Sequence, residues 1–388
     1  MVFGARLTVL GSLNMDISVT VPRLPAPGAT VLGGAAAFAP GGKGANQAVA
    51  AARLGGSVRM VGCVGNDDFG ARLLAALARE GVDSSGVRAV EDVPTGLAMI
   101  TVDGAGENII TVAPGANREV GAAEIAAVVA WPADVLVVSA EIPVRVIEAV
   151  LAAEAPAAPA GSAETQAGAP GASGPAGPAE SRAGAPGPAA APGPARPPIR
   201  MLNLAPAPPE AAGLVASGVD WLVVNESEAA AVLGRPVTGL PGAARAAADL
   251  VRAGARHVVV TAGAAGAAYC GPGAEATAGP PGNQVASGVR SEQVSGSVSG
   301  EWRESSGPPA VLMVPGFRVR AVDTVGAGDT FVGALAVALA AGIAPAAAVR
   351  AAAAAAATAA TRPGTQSGMP RPADILAATG HAWPVTAS

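Results

Sequence analysis

Short apolar runs alternate with stretches of helical periodicity along most of the chain, and that alternation predicts a layered α/β fold. Arg6–Leu13 and Val58–Val64 read as strands. So do Asp134–Val138, Met201–Leu204, Trp221–Val224 and His257–Thr261, whose near-continuous Val, Leu and Ile content suits parallel strands buried on both faces. Gly96–Val102 and Asn108–Val112 are two further strands joined by the turn Asp103–Gly106. Helical periodicity covers Lys43–Leu54, which ends at Gly55-Gly56, and Phe69–Arg79, which stops before Gly81. Pro143–Glu154, Glu226–Leu233 and Ala243–Ala253 are helical as well. Phe331–Val349 carries no charge, but it is mostly Ala and contains Gly342 and Pro345. It predicts two buried helices broken at Gly342 rather than a membrane span.

Two segments interrupt the pattern. Residues from about 155 to 198 are almost all Ala, Pro, Gly and Ser, and residues from about 271 to 309 are rich in Gly, Ser and Pro. The first has no apolar periodicity and few large side chains to offset the entropy of ordering, and the second mixes its Gly, Ser and Pro with scattered charge, so both read as low-complexity insertions. Without them roughly 300 residues remain, a size that one α/β domain can fill. The expectation is therefore a single domain over residues 1–388.

Composition narrows the partners. Of 388 residues 51% are hydrophobic and only 14% charged, with a formal net charge of −5 and no basic run. Nucleic acid is excluded as an expected partner on that ground. Two cysteines, Cys63 and Cys270, cannot build a disulfide scaffold or a Cys-based zinc site, and a reducing cytoplasm fits them. The first residues read as a strand, with no signal-peptide pattern.

The strongest chemical signal is Asp323-Thr-Val-Gly-Ala-Gly-Asp329, followed by a helix. A Gly-x-Gly turn before a helix aims backbone N–H groups outward at the positive end of the helix dipole, which makes an anion hole of Gly326, Ala327 and Gly328. A carboxylate beside an anion hole repels a resting phosphate, but it can take the proton of a hydroxyl attacking that phosphate. Phosphoryl transfer to an alcohol follows, with Asp329 as base. A dinucleotide fingerprint fails because Phe331 stands where its third Gly belongs, and a Walker A loop fails because Gly44 follows Gly42-Lys43.

Gly41-Gly42-Lys43-Gly44-Ala45-Asn46-Gln47 opens the first long helix. Its glycines allow close approach to a ligand, and Lys43 and Asn46 put donors on one helix face, a set suited to a polyhydroxylated molecule. Asn14 and Asp16 follow the first apolar strand, at the edge of the sheet where α/β folds bind ligands. Asn225 and Glu228 also follow a strand. They read as a capping box that can at the same time face hydrated Mg²⁺. His257 and His381 read as structural or incidental.

GSLNMD, GGKGANQAVAAARLG, VGNDDFG, GENIITVAPGAN, NLAPAP, NESEA and DTVGAGDTFVGAL together resemble, in this order, the phosphofructokinase-B-type carbohydrate kinases. The resemblance spans nearly everything outside the two insertions. It implies the ribokinase-like three-layer α/β fold: a central, mainly parallel sheet flanked by helices, with a small β lid from about residues 17–38 and 96–112. It implies ATP-dependent phosphorylation of D-ribose at O5. A related kinase for deoxyribose, another pentose or a nucleoside is the alternative, and a non-catalytic sugar-binding regulator is a third reading. Residue by residue, Asn14, Asp16, Gly42, Lys43, Asn46 and Glu141 would bind the sugar. Asn225 and Glu228 would lie at the phosphates and Mg²⁺, and Thr261, Gly263 and Gly266 at the nucleotide. Asp323, Val325, Ala359, Arg362, Gly364 and Gly368 would form a K⁺ site, with Gly368 where relatives often have Ser. A homodimer through the lid is implied too.

Overall fold

The computed structural model describes residues 5–153, 197–274 and 310–385. The two low-complexity insertions, apart from a few residues at their ends, lie outside the described residues.

The chain opens with β1 (Arg6–Leu10), continues as β2 (Asn14–Thr20), and returns as β3 (Ala37–Gly41) directly into α1 (Lys43–Arg53). β4 (Ser57–Gly65), α2 (Asp68–Arg79) and β5 (Asp83–Val90) precede the hairpin β6 (Gly96–Val102) and β7 (Asn108–Ala113). α3 (Ala122–Ala130), β8 (Val135–Ser139) and α4 (Val144–Ala152) come next, then β9 (Ile199–Asn203), α5 (Ala211–Ala216), β10 (Trp221–Asn225) and α6 (Glu226–Leu233). α7 (Gly239–Arg252), β11 (His257–Thr261), β12 (Gly266–Cys270) and β13 (Val311–Pro315) complete the sheet. The helices α8 (Ala327–Ala340), α9 (Pro345–Ala359), α10 (Thr365–Gly368) and α11 (Pro372–Thr379) follow.

Nine strands form one sheet in the order β13-β12-β11-β10-β9-β8-β1-β4-β5. Pairing is parallel from β11 through to β5, and antiparallel only at β11–β12 and β12–β13. Strand period two divides the core. Leu7, Val9, Val135 and Val137 pack with α1, α8 and α9 on one face, while Leu10, Leu136 and Val138 pack with α4 and α7 on the other. This is the expected three-layer α/β architecture. Phe331–Val349 does divide into α8 and the start of α9 on either side of Gly342. No helix among the described residues is long and apolar enough to cross a membrane.

Four strands form a second sheet, β3-β2-β6-β7. Here the structure departs from the strand expected over Arg6–Leu13. β1 stops at Leu10, and the chain passes through Gly11–Leu13 into a different sheet. Asn14 and Asp16 therefore belong to a strand of the second sheet rather than to the chain that follows a strand of the first. The second sheet carries exposed Phe38, Met99, Ile109, Ile110 and Val112.

Small residues decide how the helices meet. A Cβ at Gly333 would fall 2.7 Å from the Gln47 carbonyl oxygen, so α8 touches the backbone of α1. Asp329 lies one turn before Gly333, and this contact brings it against Asn46 and Gln47.

Candidate active site

Gly326, in the left-handed region with φ 79°, caps α8. The N–H groups of Gly326, Gly328 and Asp329 meet no protein acceptor among the described residues, whereas the Ala327 N–H donates to Thr324 O at 3.2 Å. A Cβ added to Gly328 would meet nothing within 4 Å. The turn thus presents open backbone donors at a helix N-terminus, with room beside them. Asp329, the third helical residue, is buried, and both its oxygens are held. Asn46 Nδ2 donates to Oδ2 at 2.9 Å, and Gln47 Nε2 donates to Oδ1 at 3.1 Å. Gln47 Nε2 also reaches Asn203 Oδ1 at 2.9 Å, and Asn203 Nδ2 donates to Val223 O at 3.1 Å. Gln47 is fully buried, and its Oε1 has no partner among the described residues.

A cavity of about 120 Å³ opens on this turn. Lys43, Asn225, Glu228, Thr261, Gly326, Gly328 and Asp329 line it, with Asn203, Ala205 and the aliphatic Val223, Val224 and Val332. The Lys43 ammonium is held above its usual range first by Asp329, with help from Glu141, Glu228 and Asp16 and against the pull of burial. Glu228 forms the expected capping box: Asn225 N–H donates to its Oε2 at 2.8 Å, and Asn225 Oδ1 accepts from Glu228 N–H at 2.9 Å. Burial raises the Glu228 carboxyl. Of the residues expected at the nucleotide, Gly263 and Gly266 do not line this cavity. Gly266, with φ 114°, opens β12 where any Cβ would overlap Val314 O, so packing of β13 explains it.

The remaining sugar candidates gather beside Lys43. A Cβ at Gly41 would overlap the Asp16 carboxylate, and one at Gly42 (φ 89°) would fall 2.6 Å from Asn14 N. Only glycine lets β3 and α1 come this close to β2. Burial, reinforced by the charges of Glu141 and Asp329 and opposed by Lys43, pushes the Asp16 carboxyl up to about 7. Glu141 accepts Ser12 Oγ at 2.6 Å and the Lys43 backbone N–H, and burial raises its carboxyl. Buried Asn117 holds the chain where it enters β2: it accepts Leu13 N–H at 2.9 Å and donates to Asn14 Oδ1 at 2.8 Å. One lysine, three mutually repelling carboxylates and a row of amides thus face one another at the carboxyl ends of β1, β8, β9 and β10.

The sequence profile of the pfkB family carbohydrate kinases matches residues 5–166, 199–289 and 307–372. The chain belongs to that family. It is similar to the ribokinase of Haemophilus influenzae, at 32% identity over 97% of this chain and 99% of that protein. It is also similar to the deoxyribokinase of Salmonella typhi, at 27% identity over 85% of this chain and 84% of that one. Among solved structures it resembles the Arabidopsis thaliana ribokinase complexed with ribose and ATP, with a TM-score of 0.66 and 26% identity over 96% of this chain and 98% of that one.

In this pfkB kinase the residues expected to hold K⁺ lie together behind the anion-hole turn. Asp323 Oδ1 accepts the Val325 N–H at 3.0 Å, and its Oδ2 accepts the Gly364 N–H at 2.8 Å. A Cβ at Gly368 would fall 3.2 Å from Arg362 O and 3.5 Å from Ala359 O. One carboxylate with carbonyl oxygens is a donor set that suits a hard cation. Sequence reasoning assigned no role to Gln47, Asn203, Asn117 or Gln366. The first two had a readable signal, a large amide inside an Ala-rich helix and an Asn closing an apolar strand.

Proposed function

We propose that this carbohydrate kinase transfers the γ-phosphoryl group of ATP to O5 of D-ribose. The observation that carries the reading is Asp329, set directly after the turn whose Gly326 and Gly328 N–H groups are open and held by amides on both oxygens. Asp329 takes the proton of the sugar hydroxyl as that oxygen attacks the γ-phosphorus. The bond from phosphorus to the bridging oxygen breaks, and ADP leaves. The backbone N–H groups and Lys43 bear the charge on the transferring group. Asp16, Asn14, Asn46 and Glu141 hold the sugar hydroxyls, and the second sheet closes over them as a lid that excludes water, the competing acceptor.

Mg²⁺ fits the site: the half-buried Glu228 carboxylate lines the cavity wall, and with Asn225 it would hold the hydrated ion. The ion supplies charge neutralisation at the ATP phosphates. K⁺ fits the carbonyl cluster of Asp323, Val325, Ala359, Arg362, Gly364 and Gly368, where it would steady the turn into α8. The exposed apolar side chains of the second sheet support a homodimer through the lid. The test is kcat/KM over a panel of pentoses, hexoses and nucleosides with ADP detection. D-ribose should lead 2-deoxyribose by roughly 10- to 150-fold, the worth of one hydrogen bond to a charged acceptor. A lead for deoxyribose or a nucleoside would replace the ribose reading with that substrate.

A further inference from the structure

Three successive residues at the start of α10 each touch a different part of the site. The Gly364 N–H is donated to Asp323 Oδ2 at 2.8 Å. Thr365 packs on the anion-hole turn, since a Cβ at Gly326 would fall 2.7 Å from Thr365 Cγ2. Gln366 Nε2 donates to Asn46 Oδ1 at 3.0 Å. The turn is fastened to α1 by Arg53, which lies two helical turns beyond Asn46 on the same face. Arg53 Nη1 donates to Gln366 O at 2.6 Å and to Met369 O at 2.8 Å. Its Nε and Nη2 grip Glu80 at 2.8 and 2.7 Å.

An asparagine side chain has one acceptor and two donors. Gln366 occupies the Asn46 acceptor, so the Asn46 NH₂ faces the other way, and one of its hydrogens meets Asp329 Oδ2. A flipped amide would set Oδ1 against the Asp329 carboxylate and NH₂ against the NH₂ of Gln366. Both contacts are between like partners.

We propose that Gln366 is a positioning residue of the phosphoryl transfer: it locks the Asn46 amide so that its NH₂ aligns Asp329 and stays available to the sugar. This rests on the kinase reading given above. Gln366 is only half-buried and does not line the cavity at the anion-hole turn. Its effect passes through Asn46.

The experiment compares full-length wild type, Gln366→Met and Gln366→Glu, using the best sugar of the panel and recording kcat, both KM values and the melting temperature. Gln366→Met keeps the volume and removes the donor, so kcat should fall roughly 5-fold. In Gln366→Glu two carboxylates compete for one NH₂ group, so kcat should fall roughly 100-fold. KM for ATP and the melting temperature should stay near wild type in both. Equal losses in the two variants, or losses that track the melting temperature, would reduce Gln366 to a structural contact. Variants within twofold of wild type would overturn the proposal while leaving the kinase reading intact. A wild type that phosphorylates no sugar removes the kinase reading, and the role of Gln366 falls with it.

Discussion

Asp16→Asn should make the unliganded protein more stable at alkaline pH while weakening sugar binding. The carboxyl of Asp16 sits at about 7 because burial and the neighbouring charges of Glu141 and Asp329 oppose its ionisation more than Lys43 favours it. In the unfolded chain an aspartate titrates near 3.9. The folded state therefore binds this proton more tightly, and the stability it brings is lost as pH rises toward and through 7. Linkage puts the loss between pH 5 and pH 8 at roughly 3 kcal/mol, or about 3–4 °C in melting temperature for a chain of this size. Asparagine has no such titration. The assay is the melting temperature of both proteins at pH 5, 6.5 and 8. The gap should shift in favour of Asp16→Asn by those few degrees as pH rises. Ribose affinity should fall by roughly 10- to 150-fold in the variant. A parallel pH dependence in the two proteins would show that Asp16 does not carry the strain of the carboxylate cluster. Unchanged ribose affinity would remove it from the sugar site.

Asp329→Asn should cut kcat by roughly 10²–10⁴-fold with ribose still bound, measured by ADP release and calorimetry; near-normal turnover would exclude Asp329 as the base. Gly368→Ser should lower the K⁺ concentration needed for half-activation, because a hydroxyl there comes within reach of the Arg362 and Ala359 carbonyls; an unchanged K⁺ response would place the cation elsewhere. Ile110→Asp, on the exposed face of the second sheet, should shift light-scattering mass toward the monomer without unfolding the protein, whereas an unaltered mass would mean that this face makes no dimer contact.

Fold legibility followed burial. Strands buried on both faces, such as Val135–Ser139 and His257–Thr261, announce themselves as apolar runs, and helices with caps and glycine stops fall close to their expected ends. β5 was not legible. It lies at the sheet edge and has no buried residue, so its sequence carries no clear apolar alternation. β12 was missed because Gly-Ala-Ala-Tyr-Cys has no β-branched residue, and β13 because its five residues sit directly after the second low-complexity segment. The strand expected over Arg6–Leu13 overran β1 by three residues because apolar Leu13 extends the run past the break at Gly11, and the pairing of Asn14–Thr20 with a second sheet is a tertiary contact that the run does not encode.

Within the site, the residues set by local motif were readable: the turn before Asp329, the glycines before Lys43, and the Asn225–Glu228 capping box. The amides that orient them were not. Gln366 meets Asn46, and Asn203 meets Gln47, only because α1, α8, α10 and β9 converge in three dimensions. One chain carries no trace of such a pairing in its spacing.

The proposed reaction moves a phosphoryl group from ATP to the 5-hydroxyl of D-ribose. The most direct measurement is phosphorus–proton correlation NMR on the product formed from ATP, Mg²⁺, K⁺ and D-ribose. ADP should form in equal amount with a single phosphomonoester whose phosphorus couples to the two C5 protons. Coupling to the anomeric proton, or ADP released with free phosphate and no sugar ester, would contradict it.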